Sequence, residues 1–274
     1  MPELPDVELF RRIFEEHGLG RQVATVEVLD PRILEDIDAE ALSAALAGDL
    51  FQAAHRHGKH LFVARRRGGY LHMHFGLTGA LTWYEGEMPP WTRVAFGFCA
   101  PPHLAYVNLR LLGRVGLVED MRTYLAAHDI GPDALDPRLD EDSFATALGH
   151  GRRPIKAALL DQSVVAGIGN VYADEILFQA GLRPDVPVSA LDRGWRRRLF
   201  RAMRTVLETA VRRGAASEHF TERLPEGYLT RVRGGDGHCP RCGTPLARFR
   251  TGGRTGYFCG RCQIDPRRAG RDDA

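Results

Sequence analysis

At 274 residues, with 44% hydrophobic and 26% charged residues, the chain has an ordinary globular composition and enough apolar residues for real cores, which excludes a collagen-like or wholly disordered polymer. No apolar run approaches the roughly 20 residues that cross a bilayer. The net charge of +2 hides an asymmetry: residues 231–274 hold ten Arg and four Asp, and a basic tail on a near-neutral body fits a polyanion such as nucleic acid or, more blandly, a solvated arginine face.

The opening residues Met1-Pro2-Glu3-Leu4-Pro5-Asp6 carry no basic n-region and no apolar h-region, so a secretory signal is not expected and a cytosolic setting is the default. Residues 5–17 place apolar side chains at helical spacing after Pro5, which predicts an amphipathic helix stopping at Gly18. From about 21 to 119, short runs of Val, Leu, Phe and Tyr are punctuated by Gly and Pro. They predict antiparallel strands at 22–29, 60–66, 69–75, 79–84, 93–98, 104–108 and 114–119, with a short helix at Ala39–Leu46. Cys99, in an apolar stretch, is expected to be buried.

From about 121 to 222 the period is helical, with helices predicted at 121–127, 141–149, 154–161, 170–180, 189–213 and 216–222. The longest puts Trp195, Leu199, Met203, Val206, Leu207 and Ala210 on one face as core. Arg196, Arg197, Arg201, Arg204 and Arg212 lie largely on the other, expected to be solvated. Beyond 227 the chain is rich in Gly and too short for a conventional core, so it needs a staple. The fold class is therefore multi-domain α+β. It has an N-terminal antiparallel β-sandwich with a helix at 1–120, a helical domain at 121–226, a cysteine module at 227–268 and a tail at 269–274.

The staple is Cys239-Pro-Arg-Cys242 followed, after sixteen residues, by Cys259-Gly-Arg-Cys262. Two such knuckles supply the four thiolates of a tetrahedral structural zinc site, and a closed set of four cysteines leaves no open position for catalysis. A redox pair is the weaker reading in a cytosolic setting. The hairpin between the knuckles would present Arg248, Arg250 and Arg254 to phosphates.

Four further features carry chemistry. Pro2 follows a methionine expected to be removed, which would leave a secondary α-amine; α-amines titrate near ~7.7–8.0, so a useful fraction is neutral and nucleophilic at pH 7. Glu3 beside it can transfer protons, although a Met-Pro start by itself usually means nothing. Of the 37 basic residues only Lys59 and Lys156 are lysines. Lys59 opens a strand, where a lone lysine is usually surface charge. Gly167-Ile168-Gly169-Asn170 is a tight turn entering a helix, a phosphate-binding geometry of low specificity. His72 and His74 share a strand face, as do His55 and His57. With no carboxylate at fixed spacing, satisfied or exposed histidines are expected rather than a metal site.

Taken together, Pro2 to Glu8, Lys59, Gly167 to Glu175 and the four paired cysteines ending in Cys262-Gln263 resemble, in order and over nearly the whole chain, the formamidopyrimidine-DNA glycosylase and endonuclease VIII family. The resemblance implies a helix–two-turn–helix middle domain and a C-terminal zinc-finger β-hairpin with one structural zinc. It implies a base-excision DNA repair enzyme that flips a damaged base from duplex DNA, cuts its glycosidic bond and cleaves the abasic site by β,δ-elimination. Pro2 and Glu3, with Lys59, would be catalytic. Lys59, Asn170 and Arg254 would grip phosphates, and Lys156 would support the helical domain or its DNA contacts, or be only structural. The partner is duplex DNA with a damaged base or abasic site. The chain is expected to act as a monomer, away from membranes, in the cytoplasm or, in a bacterium, at the nucleoid.

Leu77, Arg110 and Leu112 fall where the family fills the gap left by the flipped base, and Leu at two of these positions keeps an apolar wedge without a stacking ring. Arg110 could read the opposite base. Asp6 stands where the family has Glu. The stretch 214–237 is shorter than the lesion-covering loop of the family it resembles, and 214–229 lacks that loop's lysine-containing segment, so the resemblance implies a more open pocket suited to ring-opened purines, oxidised pyrimidines or bulkier adducts before 8-oxoguanine. The competing reading is a non-catalytic sensor of abasic or distorted DNA on the same scaffold; such a binder would have no need of Pro2 and Glu3.

Overall fold

Pro5 at the second position, Asp6 in the first turn and an apolar stripe of Leu4, Val7 and Phe14 make α1 (Leu4–His17) an amphipathic helix, and Gly18 closes it. In this computed structural model, which describes residues 1–217 and 219–267, α1 opens the first of two units, Met1–His128 and Asp129–Ala274.

The first unit continues with β1 (Val23–Val28), the short β2 (Leu34–Glu35), α2 (Ala39–Leu46) and seven strands: β3 (Phe51–His57), β4 (His60–Arg65), β5 (Tyr70–His74), β6 (Gly79–Tyr84), β7 (Thr92–Phe98), β8 (His103–Asn108) and β9 (Arg114–Val118). They form a four-stranded sheet ordered β1-β7-β8-β6 and a five-stranded sheet ordered β2-β9-β5-β4-β3. All pairings are antiparallel except β2 with β9. Inward residues of both sheets, among them Val94, Phe96, Leu104, Leu61, Val63, Leu71 and Met73, bury one core with Val7 and Phe14 of α1. The expected sandwich is the observed one. Strand β3 escaped the sequence reading because Phe-Gln-Ala-Ala-His-Arg-His alternates small and polar residues instead of β-branched ones. A last helix, α3 (Met121–Ala127), is capped by Asp120, whose carboxylate accepts from Thr123 N.

The second unit holds α4 (Glu141–Leu148), α5 (Ile155–Leu160), α6 (Asn170–Ala180), α7 (Arg193–Arg213) and a two-stranded antiparallel hairpin, β10 (Ala247–Thr251) with β11 (Arg254–Phe258). Helix α7 packs on α4 and α6 through Leu199, Met203, Val206, Leu207 and Ala210, as its periodicity predicts.

Three expectations are corrected. Arg196 is buried, because its guanidinium reaches Leu191 O, Ala145 O and Val188 O and fastens the start of α7 to the preceding turns. Cys99 is exposed, since β7 ends at Phe98 and the chain turns outward there. The described part of 216–222 forms no α-helix. Gly214, left-handed at φ 62°, ends α7, Phe220 is left-handed at φ 57°, and only a 3-10 turn at Thr221–Arg223 follows. The tail 269–274 lies outside the described residues, as does Glu218 within the expected helix.

Candidate active site and nucleic-acid interface

The head of α1 is built as a reciprocal cap. Glu3 N donates to Asp6 Oδ2 at 2.9 Å, and the first turn closes as a capping box between these two residues. Both carboxylate side chains are buried, so Glu3 is held immediately after the half-buried Pro2. Asp6 thus keeps a role as the clamp on Glu3, with a side chain short enough for its own turn.

Lys59 sits in the two-residue turn Gly58-Lys59 between β3 and β4, with Gly58 at φ 57°. It is buried, unlike the surface lysine that its isolated position suggests. The turn is tied to α1: Arg56 Nε lies 3.3 Å from Glu8 Oε2, and Arg56 Nη1 donates to Gly58 O at 3.4 Å. Burial alone would raise the Glu8 carboxyl, but hydrogen bonds from Arg11 and the nearby Arg56 and Arg12 hold it below its ordinary range. The Glu8–Arg56–Gly58 bridge therefore links the helix carrying Glu3 to the turn carrying Lys59. Sequence spacing could not show it, because its members are 48 residues apart.

Leu77, Arg110 and Leu112 are gathered on two adjoining turns. Thr78 Oγ1 accepts from Arg110 N at 3.1 Å, and the buried Asn108 donates to Phe75 O at 3.2 Å. Gly113 is obligatory there, because a Cβ would stand 1.8 Å from the Tyr106 hydroxyl and 2.5 Å from Asn108 Nδ2. Leu77 is half-buried, whereas Arg110 and Leu112 are exposed at the rim.

The histidines fill the outer face of the five-stranded sheet. His60 Nδ1 lies 2.9 Å from His72 Nε2, and His72 Nδ1 lies 3.5 Å from Glu35 Oε2. Glu35 also accepts from the Tyr124 hydroxyl at 3.2 Å and from Arg114 at 2.5 Å. His72 and Arg114 pull Glu35 down to about 2, and burial pushes His60 and His72 below the ordinary imidazole range and His74 down to about 4. His60 and His72 pair with each other, but the buried Nδ1 of His72 makes no hydrogen bond and faces Glu35 only at ion-pair distance, so the expected satisfaction is incomplete. Their carboxylate comes from β2, which the parallel β2–β9 pairing delivers.

In the second unit, Asn170 starts α6 directly after the turn containing Gly167, at φ 111°. Its Nδ2 donates to Thr255 O of β11 at 2.9 Å, and its buried Oδ1 has no hydrogen-bond partner. Arg254 is exposed at the start of β11, and Arg248 and Arg250 are exposed on β10, as the hairpin reading requires. The node beneath them was not legible. Lys156 Nζ lies 2.6 Å from Asp174 Oδ1 with both side chains fully buried, and 4.6 Å from the centre of the Phe249 ring. Asp174 Oδ2 accepts from Arg233 Nε at 3.0 Å and from Tyr257 N at 3.1 Å. A Cβ on Gly256 would fall 2.3 Å from Lys156 Nζ, so glycine lets β11 approach the ammonium. One carboxylate thus pins the hairpin to α6, with Lys156 buried against it.

Cys239, Cys242, Cys259 and Cys262 bring their sulfurs within 4.8 Å of one another, with Cys239–Cys262 at 3.7 Å and Cys242–Cys259 at 3.5 Å. A tetrahedron with Zn–S bonds of about 2.3 Å has edges near 3.8 Å, so the four thiolates fit one structural zinc.

Three family models match the chain in order: the formamidopyrimidine-DNA glycosylase N-terminal domain over residues 1–115, the H2TH domain of the same enzymes over 130–222, and the zinc finger found in FPG and IleRS over 238–264. The chain is 39% identical over 260 residues to the formamidopyrimidine-DNA glycosylase of Moorella thermoacetica, covering 91% of this chain and 95% of that one. It is 36% identical to that of Gloeobacter violaceus, covering 96% and 98%. The Lactococcus lactis enzyme, solved non-covalently bound to DNA containing an abasic site, superposes with a TM-score of 0.86 at 26% identity, over 96% of this chain and 100% of that one. The same holds for the L. lactis complex with Fapy-dG-containing DNA.

Proposed function

The chain belongs to the formamidopyrimidine-DNA glycosylase family, and from that membership we infer that it is a bifunctional repair enzyme that excises damaged bases from duplex DNA and cleaves the abasic site left behind. The observation that supports its chemistry most directly is the Pro2–Glu3 pair at the head of α1, with Glu3 buried and its backbone fixed by Asp6.

In this reading, removal of Met1 frees the Pro2 nitrogen, which attacks C1′ of the damaged nucleotide. The C1′–base bond breaks and its electron pair leaves with the base. Glu3 transfers the proton that opens the sugar ring, giving an iminium between Pro2 and C1′. The iminium draws electrons and acidifies C2′. Loss of a C2′ proton expels the 3′ phosphate, and a second elimination expels the 5′ phosphate. Lys59, buried beside a rigid turn, assists at the lesion phosphate. Leu77, Arg110 and Leu112 fill the gap. In the second unit, Asn170 and Arg254 hold phosphates: the Asn170 amide carries two N–H bonds, and the one not directed to Thr255 O remains a donor. Residues 1–120 thus carry the chemistry, 121–226 and 227–268 the grip, and zinc folds the last of these. The enzyme works as a monomer in the cytoplasm, or at the nucleoid if its source is bacterial. Among the described residues, no helix is long and apolar enough to cross a membrane.

Lesion choice follows from 214–229. Arg223 Nη1 donates to Gly214 O at the end of α7 at 3.0 Å and Ala216 N donates to His219 O at 2.9 Å, and a short stretch without lysine goes with a more open pocket, which suits ring-opened purines, oxidised pyrimidines or bulkier adducts. Single-lesion excision in matched duplexes tests this, and a clear 8-oxoguanine preference refutes it.

Borohydride trapping on duplex DNA with one abasic site, with mass mapping of the adduct, tests the whole reading. An adduct on Pro2, lost in Pro2→Gly while abasic-site binding persists, is the expected result. Tight binding with no adduct favours the sensor.

A further inference from the structure

Trp91 ends the loop between β6 and β7 and is 58% exposed, the highest value for a large apolar side chain among the described residues. Its backbone is left-handed at φ 64°, a conformation that bulky residues hold only where their surroundings enforce it, and such strain concentrates at binding sites. The enforcement is visible. Asn108 N donates to Trp91 O at 3.0 Å, and Thr92 Oγ1 donates to Pro89 O at 2.6 Å. Arg93 Nε donates to Asn108 O at 2.8 Å, and its guanidinium carbon lies 5.9 Å from the centre of the indole. The residue that fixes Trp91 is thus Asn108, which also organises the turns carrying Leu77, Arg110 and Leu112.

The surroundings suit a nucleic acid. Leu109 follows Asn108 at 50% exposure, and Arg110 is exposed next to it. Arg32 and Arg93 share the carboxylate of Asp30. An exposed ring, with Arg110 exposed on the turn that Asn108 organises, offers both a base-stacking face and phosphate attraction. When a base leaves the duplex, its former partner loses its pairing and part of its stacking.

We propose that Trp91 is a stacking platform for the strand opposite the lesion, taking a base next to the one that Arg110 addresses. The proposal rests on the glycosylase reading and adds a specificity element to it.

The test uses the full-length protein and three probes: a duplex carrying a tetrahydrofuran abasic analogue, the same lesion strand alone, and an undamaged duplex. Trp91→Ala is expected to weaken lesion-duplex binding about tenfold while leaving single-strand binding within about twofold. Trp91→Phe, which keeps a ring, retains most of the affinity. Tryptophan emission of the unaltered protein is quenched by the lesion duplex, and Trp91→Phe loses most of that quench. Undiminished duplex binding by Trp91→Ala, equal losses on duplex and single strand, or a quench that persists in Trp91→Phe would overturn the platform. Unaltered protein that neither prefers the lesion duplex nor forms a borohydride adduct would overturn the glycosylase reading itself.

Discussion

The sandwich unit and the zinc hairpin are held by different forces. The sandwich buries a continuous apolar core between two sheets and α1, so its stability is spread over many side chains. Among the described residues, the cluster beneath the hairpin buries Phe178, Leu229, Cys239, Leu246 and Cys259, and the hairpin adds four thiolates and a buried carboxylate bound to Lys156 and Arg233. Local failure should therefore be graded in the sandwich and abrupt in the hairpin. The groups proposed for catalysis, in the first, and those proposed to grip phosphates, on the second, then separate by experiment.

The largest expected effect comes from the metal. Stripping zinc with a chelator, or Cys259→Ser, removes a binding energy on the order of 10 kcal/mol and unfolds the hairpin. DNA affinity should fall by about 100-fold or more, while amide exchange in β4 and β5 stays unchanged. Full affinity without zinc would break the comparison. Next is the buried ion pair: Asp174→Ala removes the buried carboxylate shared by Lys156 and Arg233 and should cost about 3–5 kcal/mol in thermal or denaturant unfolding, with the double replacement Lys156→Met and Asp174→Leu costing less than the single one. A smaller cost for the single replacement would make the pair dispensable.

In the sandwich, Leu71→Ala should cost about 2–4 kcal/mol and leave zinc content unchanged, measured by denaturant midpoint and metal analysis. The smallest effect is that of pH. His60, His72 and His74 titrate below their unfolded value near ~6.5. Above that value they are neutral in both states and cost nothing. As pH falls from about 6.5 toward 4, the unfolded chain binds protons that the folded one resists, and the sandwich loses stability progressively. Exchange rates of β4 and β5 amides across that range report it, and His72→Phe should flatten the slope.

Much of this site could be read before folding because its parts are local. A CxxC knuckle places two sulfurs by its own turn, a Gly-rich turn followed by Asn places a helix start, and Pro2-Glu3 are adjacent. Asp6 as the clamp on Glu3 is also local, three residues away. By contrast, Arg56 bracing the Lys59 turn, Glu35 behind His72 and Asp174 under the hairpin join residues far apart in the chain.

The sequence by itself determined the order of the three parts, most strands and helices and the four paired cysteines, since periodicity, turn chemistry and ligand spacing act within a few residues; the residues proposed for catalysis followed from its family resemblance. Only the tertiary structure decided that Lys59 and Arg196 are buried and Cys99 exposed, that Lys156 is neutralised by Asp174, and that Trp91 is held strained in solvent. Burial and charge pairing depend on which distant segments arrive at a point. That arrival is set by the global packing of sheets and helices, to which no short window of sequence has access.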